Sequence, residues 1–214
     1  MSTIVKSSID DQELIVERRR QFVTAATALF SRNSYDATTM KEISKQAGFS
    51  AGLIYSYVET KEDMLFLVLQ NILDSYRSEI PKSLENVTGS IERFCGAVRA
   101  YCQVVDANAE ATLLAYRATK YLNSERKAEI KNMELETNQL VADCARACVD
   151  EGYFRPINID LLSYHAVMMA HGWALKRWAF IKTMTLEQYI GETLDFLLHG
   201  AMTEAGWKYL QDQK

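Results

Sequence analysis

Apolar residues recur every three or four positions along most of this chain, in stripes separated by short polar breaks. Phe22, Ala25, Ala26, Leu29 and Phe30 share one face of a helix expected from near Gln12 to Ser31. A second stripe, Met64, Leu65, Val68, Leu69, Ile72 and Tyr76, follows a Thr60/Asp63 cap and is expected to end at Pro81. Five more helical segments follow Thr88. They are Ser90 to Val105, a short helix carrying Leu113 to Tyr121, Asn123 to Glu151, Asn158 to about Lys182, and a last helix capped by Thr185 and Gln188. The Asn158 segment is apolar nearly all round and needs cover on several sides. Period-two alternation is not evident, so the pattern predicts an all-α fold of about nine helices.

Between the first two long stripes lies TMKEISKQAGFSAGLIYSYVETK, Thr39 to Lys61. Thr39 with Glu42 makes a capping box, and Ile43 and Ala47 share a face of the short helix it opens. Gly48 supplies a left-handed stop, Phe49 a plug between helices, and Ser50 an N-cap for a second helix, Ala51 to Tyr57. Leu53 and Ile54 are its expected buried side. Ala51, Gly52, Tyr55, Ser56 and Tyr57 are left to face outward or bridge the edge. Small residues with aromatic hydroxyls are unusual on a solvated helix and suit one pressed into a DNA major groove, with hydroxyls reaching phosphates. Lys61, opening the next helix, adds charge beside that helix's positive end. Thr39, Ser50, Ala51, Gly52, Leu53, Tyr55, Ser56, Tyr57 and Lys61 are the expected DNA contacts.

This stretch and the helix before it resemble the TetR family of bacterial repressors. The likeness rests on Ala25, Ala26, Leu29 and Phe30, on Tyr35-Asp36-Ala37-Thr38-Thr39, and on Ile43, Ala47-Gly48, Ser50, Tyr55 and Lys61-Glu62. Ser34 stands where the family usually has Gly, and Val58 where it usually has Phe. The resemblance implies an N-terminal three-helix helix-turn-helix domain, residues 11–60, behind an arm of residues 1–10 expected to be disordered. A larger helical ligand-binding and dimerisation domain, residues 61–214, would follow. It also implies a repressor released from double-stranded operator DNA by a small effector.

Composition changes this picture only at the edges. Of 214 residues, 48% are hydrophobic and 24% charged, enough apolar mass for a core. Net charge is −4, and residues 1–65 carry eight Lys and Arg against nine acids, so the head is not a basic block. Arg18, Arg19 and Arg20 form its one cationic cluster. A modest phosphate term is expected, supplemented by pairing two subunits. Two apolar helices at the C-terminal end fit a four-helix homodimer interface. The polar N-terminus carries no evident signal peptide and no apolar run reaches membrane-span length, so a cytoplasmic protein is expected.

Candidate chemistry is thin. Cys95, Cys102, Cys144 and Cys148 form no CxxC pair and read as small core residues in a reducing compartment. His165 and His171 lie six positions apart, on different helix faces, and no HExxH, GxSxG or phosphate-cradling loop is present. Catalytic residues, metal and cofactor are therefore expected to be absent. The competing reading is a helical binding protein or enzyme whose helix corner is only structural. The effector site implied by the resemblance has candidate lining in Phe94, Tyr101, Tyr116, Met133, Val141, Met168, Met169 and Trp173, with Arg117, His165, His171, Lys176 and Arg177 as polar anchors. Lys176 and Arg177 beside Trp173 and Trp178 either hold an anion, such as an acyl-CoA phosphate, or lie along the surface with solvated heads.

Overall fold

A computed structural model describes residues 5–212. Within them are ten α-helices, two single-turn 3-10 helices and one isolated bridge between Phe154 and Met202. The helices are α1 (Gln12–Asn33), α2 (Met40–Gln46), α3 (Lys61–Ser83), α4 (Ser90–Ala107), α5 (Ala109–Ala118), α6 (Ser124–Asp150), α7 (Ile159–Leu175), α8 (Arg177–Phe180), α9 (Leu186–Ala201) and α10 (Glu204–Asp212). The 3-10 turns are Leu53–Ser56 and Thr119–Tyr121.

Caps account for most boundaries. Asp11 receives the Leu14 N–H at 3.0 Å and starts α1. Both halves of the Thr39/Glu42 and Thr185/Gln188 boxes form. Asn158 caps α7, and Gly152 at φ +76° turns the chain after α6. Three differences from expectation have local causes. Pro81 sits inside the last turn of α3, which runs on to Ser83. The long C-terminal apolar stretch breaks at Lys176, whose ψ of 20° leaves the helical range, and resumes as α8. A short helix, α10, begins after Thr203, whose hydroxyl receives the Gly206 N–H at 3.1 Å.

The chain forms two compact units. One comprises residues up to Asp74 together with Glu110–Met133, and the other Ser75–Ala109 together with Glu134–Lys214. The helix-turn-helix expected over residues 11–60 thus belongs to one unit with the start of α3, with α5 and with the first turns of α6. Its core holds Phe22, Ala26, Phe30, Ile43, Ile54, Val58, Met64 and Leu65, none more than 1% exposed. In the second unit α4 packs on α7, and α9 covers both. There Tyr76 stacks on Tyr101 at 4.2 Å between ring centres, and Phe94 meets Phe154 edge-on at 5.2 Å.

Candidate nucleic-acid interface

Thr39 Oγ1 accepts the Glu42 N–H at 3.2 Å, and the Glu42 carboxylate receives the Thr39 N–H and hydroxyl, both at 2.8 Å. The backbone N–H of Thr39, with its hydroxyl, holds Glu42 below the usual carboxylate range. This box fixes the entry to α2. Gly48, at φ +84°, lets the chain reverse, and the Phe49 N–H closes back on the Ser44 carbonyl at 2.9 Å. Phe49 then meets Phe22 edge-on at 5.3 Å, the plug the sequence suggested.

The second helix is shorter than expected. Only Leu53–Ser56 is helical, with 3-10 bonds from Leu53 N–H to Ser50 and Tyr55 N–H to Gly52. Ser50 gives no side-chain cap, and Gly52 occupies the entry. So short a segment, entered through glycine and uncapped, does not offset helix nucleation, and its bonds close one residue early. Ser50, Ala51, Gly52 and Tyr55 are exposed, Tyr55 at 55%. Leu53 and Ser56 are half-buried. Tyr57, expected outward, is 4% exposed, with its ring 5.9 Å from that of Phe22. Its position one residue past the short turn rotates it to the core side.

The cationic groups are redistributed likewise. Arg19 donates to the carbonyls of Tyr57 (2.8 Å), Val5 (2.7 Å) and Lys6 (3.2 Å), and burial lowers its pKa. It straps residues 5–10 against the reading turn, where the Ser8 N–H and the Ser7 hydroxyl reach the Ser56 carbonyl. The described part of the arm is therefore docked, with Val5 buried; residues 1–4 lie outside the described residues. Arg18 lies 4.7 Å over the Phe49 ring and Arg20 pairs with Glu17 at 2.9 Å. Lys61, offered as a phosphate contact, points its ammonium at the carbonyls of Tyr35 (2.9 Å), Thr38 (3.0 Å) and Asp36 (3.3 Å). All three of its donors are engaged within the protein. Lys41 and Lys45, four apart on α2, are exposed beside the turn. Sequence reasoning counted them only as charge; their i, i+4 spacing on the first helix of the motif was the available signal.

The proposed effector-lining residues fall into separate groups. Tyr101 and Trp173 are buried in the second unit, Tyr101 5.6 Å from the His171 ring. Burial alone pushes His171 down to about 4. Phe94 and Val141 are also buried there. Trp173 Nε1 and Arg177 Nη1 both donate to Asp106 Oδ1 at 2.7 Å, so Arg177 is paired with a carboxylate while Lys176 is exposed. His165 and Met169 line an exterior groove with Leu161 and Phe196, and Met168 is 48% exposed. Tyr116, Arg117 and Met133 belong to the first unit, Tyr116 and Arg117 exposed and Met133 buried. One residue escaped the sequence reading: Asn138 on α6 is 4% exposed, and neither amide atom finds a hydrogen-bond partner within the protein. Among the described residues no cluster of three His, Cys, Asp or Glu is placed for a metal, and no helix is long and apolar enough to cross a membrane.

A capped helix, a glycine-pivoted reversal and an exposed turn of small residues define a helix-turn-helix DNA reader. The chain belongs to the tetR family of bacterial regulatory proteins, whose model matches residues 22–68, with a tetracyclin repressor-like C-terminal domain over residues 88–178. It is 47% identical over 202 residues to the HTH-type transcriptional regulator HbdR of Aromatoleum sp. (strain CIB), spanning 94% of this chain and 88% of that one. The solved structure of the ketosteroid transcriptional regulator KstR2 of Mycobacterium tuberculosis matches with a TM-score of 0.72 at 22% identity, over 94% of this chain and 100% of that one. The structure of AibR in complex with isovaleryl coenzyme A and operator DNA matches with a TM-score of 0.73 at 17% identity, over 85% and 98%. These two structural likenesses establish the fold; the family establishes a DNA-binding transcriptional regulator.

Proposed function

We propose that the protein is a cytoplasmic, non-catalytic homodimeric repressor that leaves its operator when the helical body binds an anionic apolar effector such as an acyl-CoA. The exposed face of Ser50, Ala51, Gly52 and Tyr55, flanked by Lys41 and Lys45, carries the reading. Small side chains allow close approach to base edges, a hydroxyl reaches phosphate, and the lysines supply a non-specific term. Thr39 and Ser56 border this face, and Leu53 and Tyr57 support it from beneath.

Leu161, Tyr164, Met168 and Phe196 leave apolar surface on α7 and α9, which supports pairing of two copies. Paired heads would meet half-sites about one DNA turn apart, ~34–36 Å. Asn138 and His171, both buried, supply polar anchors of the kind effector sites use. AibR, of the same fold, was solved with isovaleryl coenzyme A, which favours the acyl-CoA class. By linkage, operator DNA and effector weaken each other by one factor.

The test is fluorescence anisotropy with a labelled duplex from the DNA upstream of the protein's own gene, titrated with a panel of acyl-CoAs and the matching free acids. Salt-sensitive binding reversed by one thioester supports the reading. Binding to promoter and scrambled duplexes alike, unaffected by the panel, refutes it.

A further inference from the structure

Two backbone carbonyls close the reading turn, and both are held by residues from the N-terminal end of the same compact unit. The Ser56 carbonyl accepts the Ser8 N–H at 3.0 Å, the Ser7 hydroxyl at 2.9 Å and the Ser8 hydroxyl at 3.3 Å. The Tyr57 carbonyl accepts Arg19 Nε at 3.0 Å and Nη2 at 2.8 Å. The same Nη2 reaches the carbonyls of Val5 at 2.7 Å and Lys6 at 3.2 Å. One guanidinium on α1 thus ties the arm to the end of the turn.

Arg19 shares a face of α1 with Ile15, four positions before it, and Phe22, three after. Phe22 meets Phe49 ahead of the turn and Tyr57 behind it. Val5 and Ile15, each 5% exposed, line one groove with Ser8, Arg19 and the exposed Tyr55. The arm therefore runs beside the ring that the turn offers to solvent.

Hydrogen-bond satisfaction alone is a poor reason for this arrangement. Carbonyls at the end of a surface turn are met by water where no side chain is supplied. A four-residue 3-10 turn entered without a side-chain cap does not, however, fix its own direction. Among the described residues, each acceptor that Arg19 bonds is a neutral carbonyl, whereas the buried Arg126 of the same unit pairs with the Asp63 carboxylate. A planar guanidinium fork committed to carbonyls supplies fixed geometry, since its donors define both distance and direction.

We propose that Arg19 is a positioning residue for operator binding, and that residues 5–8 act with it as a strap that sets the attitude of the reading turn and of Tyr55. This rests on the regulator reading above. The strap works through the turn, and neither Arg19 nor the arm is assigned a contact with DNA. Loosening it leaves the exposed charges of Lys41 and Lys45 in place and disturbs only the seating of the turn against base edges. Discrimination between sequences falls while general affinity for DNA is kept.

The experiment uses full-length protein carrying Arg19→Met, Arg19→Lys, Val5→Ser, or Arg19→Met with Val5→Ser. Affinities for the labelled promoter duplex and a scrambled duplex are measured across a salt series, at a temperature where circular dichroism shows each variant folded. Arg19→Met is expected to weaken promoter binding about tenfold, the order of one hydrogen bond to a charged group, while scrambled-duplex binding changes less than about twofold. Arg19→Lys keeps the charge but loses the fork, and is expected to restore little of the loss. Val5→Ser, which frees the arm without touching a charge, is expected to weaken promoter binding about threefold, and the double variant no more than Arg19→Met alone. The slope of log K against log salt is expected to stay that of wild type throughout. A folded Arg19→Met with wild-type promoter affinity, or with equal losses on both duplexes, overturns the proposal. So does a slope lowered by Arg19→Met and restored by Arg19→Lys, which would make Arg19 a phosphate contact. Should Arg19→Met melt below the assay temperature, Val5→Ser decides, and wild-type promoter affinity in it overturns the strap. Wild-type protein that does not prefer its promoter duplex overturns the regulator reading, and this proposal with it; wild-type preference with unaltered variants overturns this proposal alone.

Discussion

The Tyr57 ring packs 5.9 Å from that of Phe22 and is 4% exposed, whereas the neighbouring Tyr55 is 55% exposed. The two tyrosines therefore separate by experiment. Tyr55→Phe is expected to leave the melting temperature unchanged and weaken promoter binding by about 1–3 kcal/mol, the loss of a hydrogen bond to a charged phosphate. Tyr57→Ala is expected to destabilise the fold by about 3–5 kcal/mol. Equal melting temperatures for wild type and Tyr57→Ala in thermal unfolding would contradict the packing.

Ser34 ends α1 at φ +70° and ψ 163°, a region other residues than glycine rarely occupy. Its carbonyl accepts the buried Thr38 hydroxyl at 2.8 Å, which holds the turn in place. The strain is of order 1–3 kcal/mol, and glycine's extra unfolded-state entropy offsets about 0.5–1 of it. Ser34→Gly is expected to raise stability by about 1 kcal/mol in denaturant titration. A lower unfolding midpoint would show that the serine conformation is unstrained.

The lysines divide by partner. Lys41 and Lys45 are exposed, and each alanine substitution is expected to weaken binding to promoter and scrambled DNA alike and reduce the slope of log K against log salt by about 0.9. Lys61, engaged by three carbonyls, is expected to behave otherwise: Lys61→Ala lowers the melting temperature and leaves the slope unchanged. A slope lowered by Lys61→Ala but not by Lys41→Ala or Lys45→Ala would return the phosphate contact to Lys61.

How much of this was legible beforehand depends on the range of the forces involved. Caps, Gly48 and the helical stripes are local, and Thr39, Glu42, Thr185 and Gln188 behave as their spacing dictates. Tyr57 differs because an α-helix over Ala51 to Tyr57 would turn it outward or to the edge, whereas only the 3-10 turn Leu53–Ser56 forms. Arg19 and Lys61 looked like open cations because their partners are backbone carbonyls, as in Lys61 to Tyr35, 26 residues away, and no sequence pattern marks a carbonyl. The Arg126–Asp63 pair joins residues 63 apart, and Asn138 is one amide in an apolar stripe; neither leaves a periodic trace.

His171 makes stability depend on pH. Burial lowers its pKa from the ordinary 6.5 to about 4, so the unfolded chain takes up a proton in acid before the folded one does. Stability from this group is present above pH 6.5 and lost as pH falls toward 4, by roughly 1.4 kcal/mol per unit and about 3 kcal/mol in all. His171→Gln is expected to flatten the fall in melting temperature over that interval. Parallel falls for wild type and variant would assign the dependence to other groups.

Gly52 tests the central claim most directly. Its φ is −85°, ordinary for any residue, and a Cβ built there meets no atom within 4 Å, so a larger side chain fits the free protein. Seated in a major groove, the same side chain would hold the reading turn off the base edges. Anisotropy titration of the promoter duplex with Gly52→Leu is expected to show binding reduced to the scrambled-duplex level at an unchanged melting temperature. Promoter affinity equal to wild type would mean that this exposed turn is not what reads DNA.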